Sequence, residues 1–175
     1  MRYETDIAKL ERFMEALGSA ATSAGRVYFT GGATAICEGW RETTADIDFK
    51  PDPEPAGIFE AIPRLKEELE VNIELASPDQ FIPELPGWRE RSRFIATHGL
   101  VDFYHFDDYS QAMAKIERFH ERDRSDVFDM FSAGLVNTAT LRRLFDEIEP
   151  KLIRFPSINP SEFRRKLDNI LRDAH

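Results

Sequence analysis

Asp46-Ile47-Asp48-Phe49 alternates polar and apolar residues with the period of a β-strand. Successive side chains on a strand point to opposite faces, so Asp46 and Asp48 share one face while Ile47 and Phe49 pack on the other. Two carboxylates this close repel each other unless a cation lies between them. Hard oxygen ligands of this kind select Mg2+ or Mn2+. Upstream, with thirteen residues between Gly32 and Asp46, the β-prone run Val27-Tyr28-Phe29-Thr30 leads directly into Gly31-Gly32. Glycines after a strand let backbone N–H groups approach a ligand closely. A short helix starting there, read over Ala33 to Gly39, favours phosphate at its N-terminus. A phosphate cradle beside a carboxylate pair is what metal-assisted phosphoryl or nucleotidyl transfer needs. The other reading open at this point is a hairpin or helix turn with surface carboxylates.

The ordered set of strand, Gly-Gly, short helix and Asp-x-Asp strand resembles the nucleotidyltransferase superfamily that includes DNA polymerase beta, the minimal nucleotidyltransferases and the aminoglycoside-modifying adenylyltransferases. The resemblance covers roughly residues 26–130 and implies roles. Asp46 and Asp48 would be the catalytic, metal-holding carboxylates. Thr30, Gly31 and Gly32, with Arg41 and Thr43 bordering them, would bind the nucleotide. A third carboxylate would come from a neighbouring strand, and Val71-Asn72-Ile73-Glu74-Leu75 reads as that strand. The superfamily's usual pattern carries an Asp where this chain has Asn72. Glu74, two residues on and on the same face, is the candidate replacement, with Asp102 the second choice. Ala33 also departs from the pattern, because many relatives carry Ser there. A second stretch, Lys115 to Val127, contains Lys115, Arg122-Asp123 and Asp126-Val127. It resembles the corresponding region of bacterial type IV toxin–antitoxin (abortive-infection) nucleotidyltransferases. By position Lys115 would contact nucleotide phosphates, and Asp123 or Asp126 would support the site. An ordinary helix dense with charge pairs among Glu117, Arg118, Glu121 and Arg122 is the equal alternative.

These residues need a scaffold. Ile7, Leu10, Phe13, Met14 and Leu17 recur at helical spacing and predict a helix over residues 4–24, capped by Gly25. Pro51, Pro53 and Pro55 end the Asp-x-Asp strand, and a helix follows from Ala56 to Glu70, interrupted or kinked at Pro63. Residues 77–88 form a proline-punctuated loop bearing Phe81 and Trp88, expected to lie over the sheet with both rings sealing apolar surface. Arg89, Arg91 and Arg93 alternate as on a strand face. Residues 93–97 and 100–106 form a hairpin turning at His98-Gly99. From Asp107 onward the pattern is helical, with Thr138 and Ser161 as later N-caps. The expected fold is α/β (α+β): a small mixed sheet flanked by helices in residues 1–106, with a helical C-terminal region, 107–175, packed on that core.

Composition narrows the class. Of 175 residues, 42% are hydrophobic and 31% charged, which fits a globular chain. Residues 1–114 hold 11 Lys/Arg and 21 Asp/Glu (−10), and residues 115–175 hold 12 and 11 (+1), together the formal −9. That balance argues against nonspecific nucleic-acid binding by the whole surface. Cys37 is the only cysteine, so neither a disulfide framework nor a cysteine zinc cluster forms within the chain. No signal-like or membrane-spanning apolar run is present, and a cytoplasmic location is expected. The expected function is transfer of NMP from an NTP, with Mg2+ or Mn2+, to an acceptor that is RNA (tRNA among them), protein or a small molecule. The toxin–antitoxin resemblance adds an antitoxin partner. The alternative is a catalytically silent nucleotide-binding or protein-interaction module of the same fold.

Overall fold

The structure, a computed structural model, describes residues 3–174. The chain divides into two compact units. The first holds the described residues up to Ser77 together with Ser92–Phe106, and the second holds Pro78–Arg91 with the chain from Asp107 onward. Residues 78–91, which take in most of the proline-punctuated loop at 77–88, thus belong to the helical unit.

The first unit begins with α1 (Ile7–Ala20), capped by the Asp6 side chain on the Lys9 N–H. It continues with β1 (Gly25–Thr30), α2 (Gly32–Cys37), β2 (Asp46–Pro51), α3 (Ile58–Leu69) and β3 (Asn72–Leu75). Gly25 opens β1 and does not cap α1, which ends at Ala20 with Ala21 as its C-cap. Pro63 lies inside α3 without ending it. The chain leaves this unit for Pro78–Arg91, where a 3₁₀ turn at Pro78–Gln80 and the one-turn α4 (Trp88–Arg91) occur, and returns with β4 (Arg93–His98) and β5 (Val101–His105). The five strands form one mixed sheet in the order β3-β2-β1-β5-β4. The β1–β2 and β4–β5 pairs are antiparallel; β1–β5 and β2–β3 are parallel.

One face of this sheet is apolar. Val27, Phe29, Ile47, Phe49, Ile73, Val101 and Phe103 meet Leu10, Phe13 and Leu17 of α1 and Ile58, Ala61 and Leu65 of α3 in a single core. The period of two therefore turns Asp46, Asp48, Asn72 and Glu74 to the opposite face, as the alternation requires.

In the second unit α5 (Asp108–Arg118), α6 (Glu121–Ser132), α7 (Thr138–Ile148) and α8 (Pro160–Asp173) follow one another. The helix pattern breaks at Phe119, whose φ of 58° is left-handed, so Lys115–Val127 is two helices and not one. The expected spacing of Glu117 and Arg118 to Glu121 and Arg122 along a single helix is lost there. Asn137 caps α7 and Asn159 caps α8, through side-chain oxygens that accept from Thr140 and Glu162 N–H groups. The expected caps, Thr138 and Ser161, are already within the helices: an asparagine one or two residues earlier, Asn137 or Asn159, is at least as good an N-cap. Trp88 is buried and donates to Glu84, whereas Phe81 is exposed.

Candidate functional site

β1 delivers the glycine turn against β2. Thr30, the last residue of β1, is the register partner of Asp48. Gly31 has φ 59° and ψ −126°, a conformation open essentially to glycine alone. A Cβ there would lie 3.5 Å from Asp48 Oδ2, so the turn passes directly over the carboxylate. Gly32 is demanded for a different reason. A Cβ on it would come within 1.9 Å of Thr44 Oγ1 and 2.6 Å of Thr44 Cβ. The helix that follows, α2, has only six residues, too few for a substantial macrodipole. What the turn supplies is close backbone approach.

The carboxylates come from two adjacent strands. Ile47 and Phe49 are fully buried on the core side, which fixes Asp46 and Asp48 on the other. In the parallel β2–β3 pair, Asp48 lies opposite Glu74 and Asp46 opposite Asn72. Adjacent strands are about 4.8 Å apart, so Glu74 is the immediate cross-strand neighbour of Asp48. Asp102, the second choice from sequence, is in register with Arg26, four residues before Thr30 on β1, and accepts from Thr97 Oγ1 at 2.5 Å. That is about 13 Å along the sheet from the level of Asp48.

Asn72 uses its side-chain nitrogen to hold backbone. Its amide donates to the carbonyls of Tyr3 at 3.2 Å and Ala45 at 2.9 Å. Among the described residues, no three His, Cys, Asp or Glu side chains are gathered so as to hold a metal as they stand. Asp46, Asp48 and Glu74 nonetheless form a donor set made wholly of carboxylate oxygens on one sheet face. Glu74 is exposed on an edge strand, so bringing it toward Asp48 costs chiefly its own rotamer freedom. Such a set fits a hard divalent ion and not a soft one.

The remaining expected nucleotide contacts are scattered. Thr30 is buried and gives its hydroxyl hydrogen to Ala76 O at 3.2 Å, which leaves the oxygen able only to accept. Half-buried Arg41 and exposed Thr43 lie in the loop between α2 and β2. Thr34, a further candidate hydroxyl, turns to the core side, 3.1 Å from His105 Nδ1. Lys115, Asp123 and Asp126 are in the second unit, where they form one ionic cluster. Lys115 Nζ is 2.9 Å from Asp126 and 3.9 Å from Asp123. Arg118 forks onto Asp123 at 2.5 and 2.7 Å, and the His120 N–H also donates to it. Burial alone would raise the Asp123 pKa, but the Arg118 hydrogen bonds and the charges of Arg118 and Lys115 outweigh it and hold the group below the usual carboxylate range. Arg89, Arg91 and Arg93 do not form a cationic strand face. Arg89 covers the Trp88 ring, Arg91 forks onto Asp107, and Arg93 pairs with Glu38 at 2.5 Å. Their alternation spans the end of α4 and the start of β4, where the period changes.

Two features escaped the sequence reading. His105 shares the core face with Val101 and Phe103, is 6% exposed, and has Thr34 on one ring nitrogen and Glu38 3.8 Å from the other. Burial, reinforced by Arg93 and opposed by Glu38, pushes its pKa down to about 4. Its strand alternation with two apolar neighbours was the available signal. The second is the lock around Thr44. Its backbone pairs with Thr5 in both directions (2.8 and 2.9 Å), and its hydroxyl donates to Asp46 O. Nothing in the residue types announced that pairing.

None of the helices among the described residues is long and apolar enough to cross a membrane. Comparison with curated proteins and with solved structures gave no match to either. Residues 5–170 match the family model DUF6036, described as a nucleotidyltransferase of unknown function. With the glycine turn packed over a carboxylate strand and nearly the whole chain covered by that match, the protein belongs to this nucleotidyltransferase family.

Proposed function

We propose that the chain transfers a nucleotidyl group from an NTP to an acceptor hydroxyl, using a divalent ion held by Asp46, Asp48 and Glu74. The observation that carries this reading is the register of Asp48, level with Glu74 on one side and with Thr30 and the glycine turn on the other. Mg2+ or Mn2+ bound there would neutralise phosphate charge and lower the pKa of the attacking hydroxyl. The protein's own part is positional. Gly31 and Gly32 let phosphate oxygens reach the backbone next to the carboxylates. Arg41 and Thr43 border that turn and offer a cation and a hydroxyl. Lys115, a phosphate contact by the sequence resemblance, is paired with Asp126 inside the second unit, with Asp123 beside them as its supporting carboxylate. The acceptor is RNA, tRNA included, or protein or a small molecule. In the toxin form of this reading an antitoxin neutralises the activity in the cytoplasm.

The test is calorimetric titration of each NTP with Mg2+ and with EDTA, beside the Asp46→Ala/Asp48→Ala double variant and Lys115→Ala. Mg2+-dependent binding abolished in the double variant supports the reading, and unchanged binding there overturns the site. Growth arrest on expression, relieved by Asp46→Ala, separates the toxin form from a housekeeping transferase. One observation favours a second reading, a catalytically silent nucleotide-binding module: the Asn72 amide is committed to two carbonyls where the resembled pattern carries a carboxylate. It requires NTP binding with no pyrophosphate release under any acceptor pool.

A further inference from the structure

The loop that ends at Asp46 is fastened from three directions. Thr44 pairs with Thr5 through both backbone groups. The Thr44 hydroxyl donates to the carbonyl of Asp46 itself, at 3.3 Å. Ala45, the residue before Asp46, gives its carbonyl to the Asn72 amide. The short segment before α1 is fastened in the same way. Tyr3 O accepts from the second hydrogen of the same Asn72 amide, and Lys9 Nζ joins Glu4 O at 3.2 Å to Glu70 O at 3.0 Å, just ahead of β3. Asn72 therefore ties the N-terminal segment, the entry to β2 and the start of β3 together.

We infer that Asn72 is a positioning residue for the proposed carboxylate site. Its amide spends both N–H groups holding Ala45 and Tyr3, and so fixes where β2 begins and where Asp46 and Asp48 stand relative to Glu74. This deepens the function proposed above and rests on it. The chemistry of the position explains why an amide is present. Two carbonyl oxygens converge on one side-chain nitrogen, and only a donor satisfies both. An ionised carboxylate there would face two acceptors at hydrogen-bond distance with no proton to offer. Ligand duty on β3 then passes to Glu74, one pleat further on and opposite Asp48. The N-terminal segment, remote in sequence from every proposed ligand, becomes part of what places them.

The clamp and simple electrostatics predict opposite signs at this position. Asn72→Asp adds a carboxylate beside Asp46, and charge alone would make a cation bind tighter. Loss of the clamp would make it bind weaker. The experiment measures two quantities on the full chain: Mn2+ affinity by electron paramagnetic resonance, and hydrogen exchange of the Thr5 and Thr44 amides, which donate across the bridge. The wild type, Asn72→Asp and Asn72→Ala are compared, with thermal melting as a check on the fold. The expected result is a fall of about tenfold or more in Thr5 and Thr44 protection in both variants, consistent with losing hydrogen bonds of ordinary strength. Mn2+ binding should weaken several-fold in Asn72→Asp. Acidification should partly restore protection in that variant, because a protonated carboxyl regains one donor. Tighter Mn2+ binding in Asn72→Asp, or unchanged protection in Asn72→Ala, overturns the inference. If the wild-type chain binds no Mn2+, the metal-site reading fails, and the exchange data alone decide the clamp.

Discussion

Replacing Gly32 with alanine sets two physical effects against each other. Gly32 is the first residue of α2, and helix propensity alone makes Gly→Ala stabilising by about 1 kcal/mol. Sterics point the other way. The new Cβ would lie 1.9 Å from Thr44 Oγ1, and ordinary contact begins at 3.4 Å, so 3.4 − 1.9 = 1.5 Å must be found. Rotating Thr44 does not supply it, because Thr44 Cβ is itself only 2.6 Å away. Thr44 cannot easily retreat, being paired to Thr5 through its backbone and to Asp46 through its hydroxyl. Overpacking of this kind costs about 1–3 kcal/mol, and a clash with both Thr44 Oγ1 and Cβ belongs in the upper part of that range, about 2–3 kcal/mol, so a net loss of about 1–2 kcal/mol is expected after the propensity gain. Urea denaturation of the wild type, Gly32→Ala, Thr44→Gly and the double variant closes a cycle. Because Thr44→Gly removes the three atoms nearest the new methyl, the double variant should be more stable than the sum of the single changes by at least about 1 kcal/mol. A Gly32→Ala protein as stable as the wild type, or an additive cycle, would refute the steric account. Because the strain is transmitted to Asp46, Mg2+-dependent NTP binding should weaken in Gly32→Ala and recover in part in the double variant.

Three further expectations rest on separate groups. His105 is held neutral by burial, with its pKa down at about 4 against an unfolded value near 6.5. The unfolded chain therefore binds the extra proton first, and stability falls as pH drops through that window, by about 3 kcal/mol between pH 7 and pH 4. Denaturation of His105→Gln across the same range should lack that part of the slope. Asp123→Asn leaves Arg118 and Lys115 without a shared carboxylate. Because Arg118 is 59% exposed and can rehydrate, the loss measured in urea should be about 1–2 kcal/mol, short of a fully buried pair. Cys37 is half-buried, and burial followed by Glu38 and Glu11 pushes its thiol up to about 11. Aromatic disulfide reagents should therefore label it slowly at pH 8, and a rate equal to that of a free thiol would count against the placement.

How far the sequence carried depended on whether a feature is local. The alternation around Asp46 and Asp48, and the strand–Gly-Gly order before it, are local, and the sheet places them where period two requires. Glycine at 31 and 32 was legible as a tight turn, but the two distinct reasons for it involve Asp48 and Thr44, which only tertiary contact reveals. Asn72 looked like a defect in a ligand pattern. Its meaning came from two carbonyls 27 and 69 residues away along the chain. The split of Lys115–Val127 into two helices hinges on Phe119 in a left-handed conformation, which a bulky non-glycine residue rarely advertises. The reassignment of caps to Asn137 and Asn159 is a milder error of the same origin, since Asn, Ser and Thr compete closely for that position.

Residues 78–91 interrupt the sheet-forming sequence between β3 and β4 and belong with helices that follow residue 106. Vectorial synthesis therefore meets two waits. When β1, β2 and β3 have emerged, the side of β1 that later carries β5 is still bare. It stays bare until another thirty or so residues have been made, a few seconds at about 5–20 residues per second. The segment with Ile82, Leu85 and Trp88 also waits, until α5 arrives. Each half of the chain thus holds an unfinished surface through much of its own translation. Cleaving the protein at Phe106 would not release a sheet unit and a helical unit: the first fragment would keep an apolar strap whose partners had been removed.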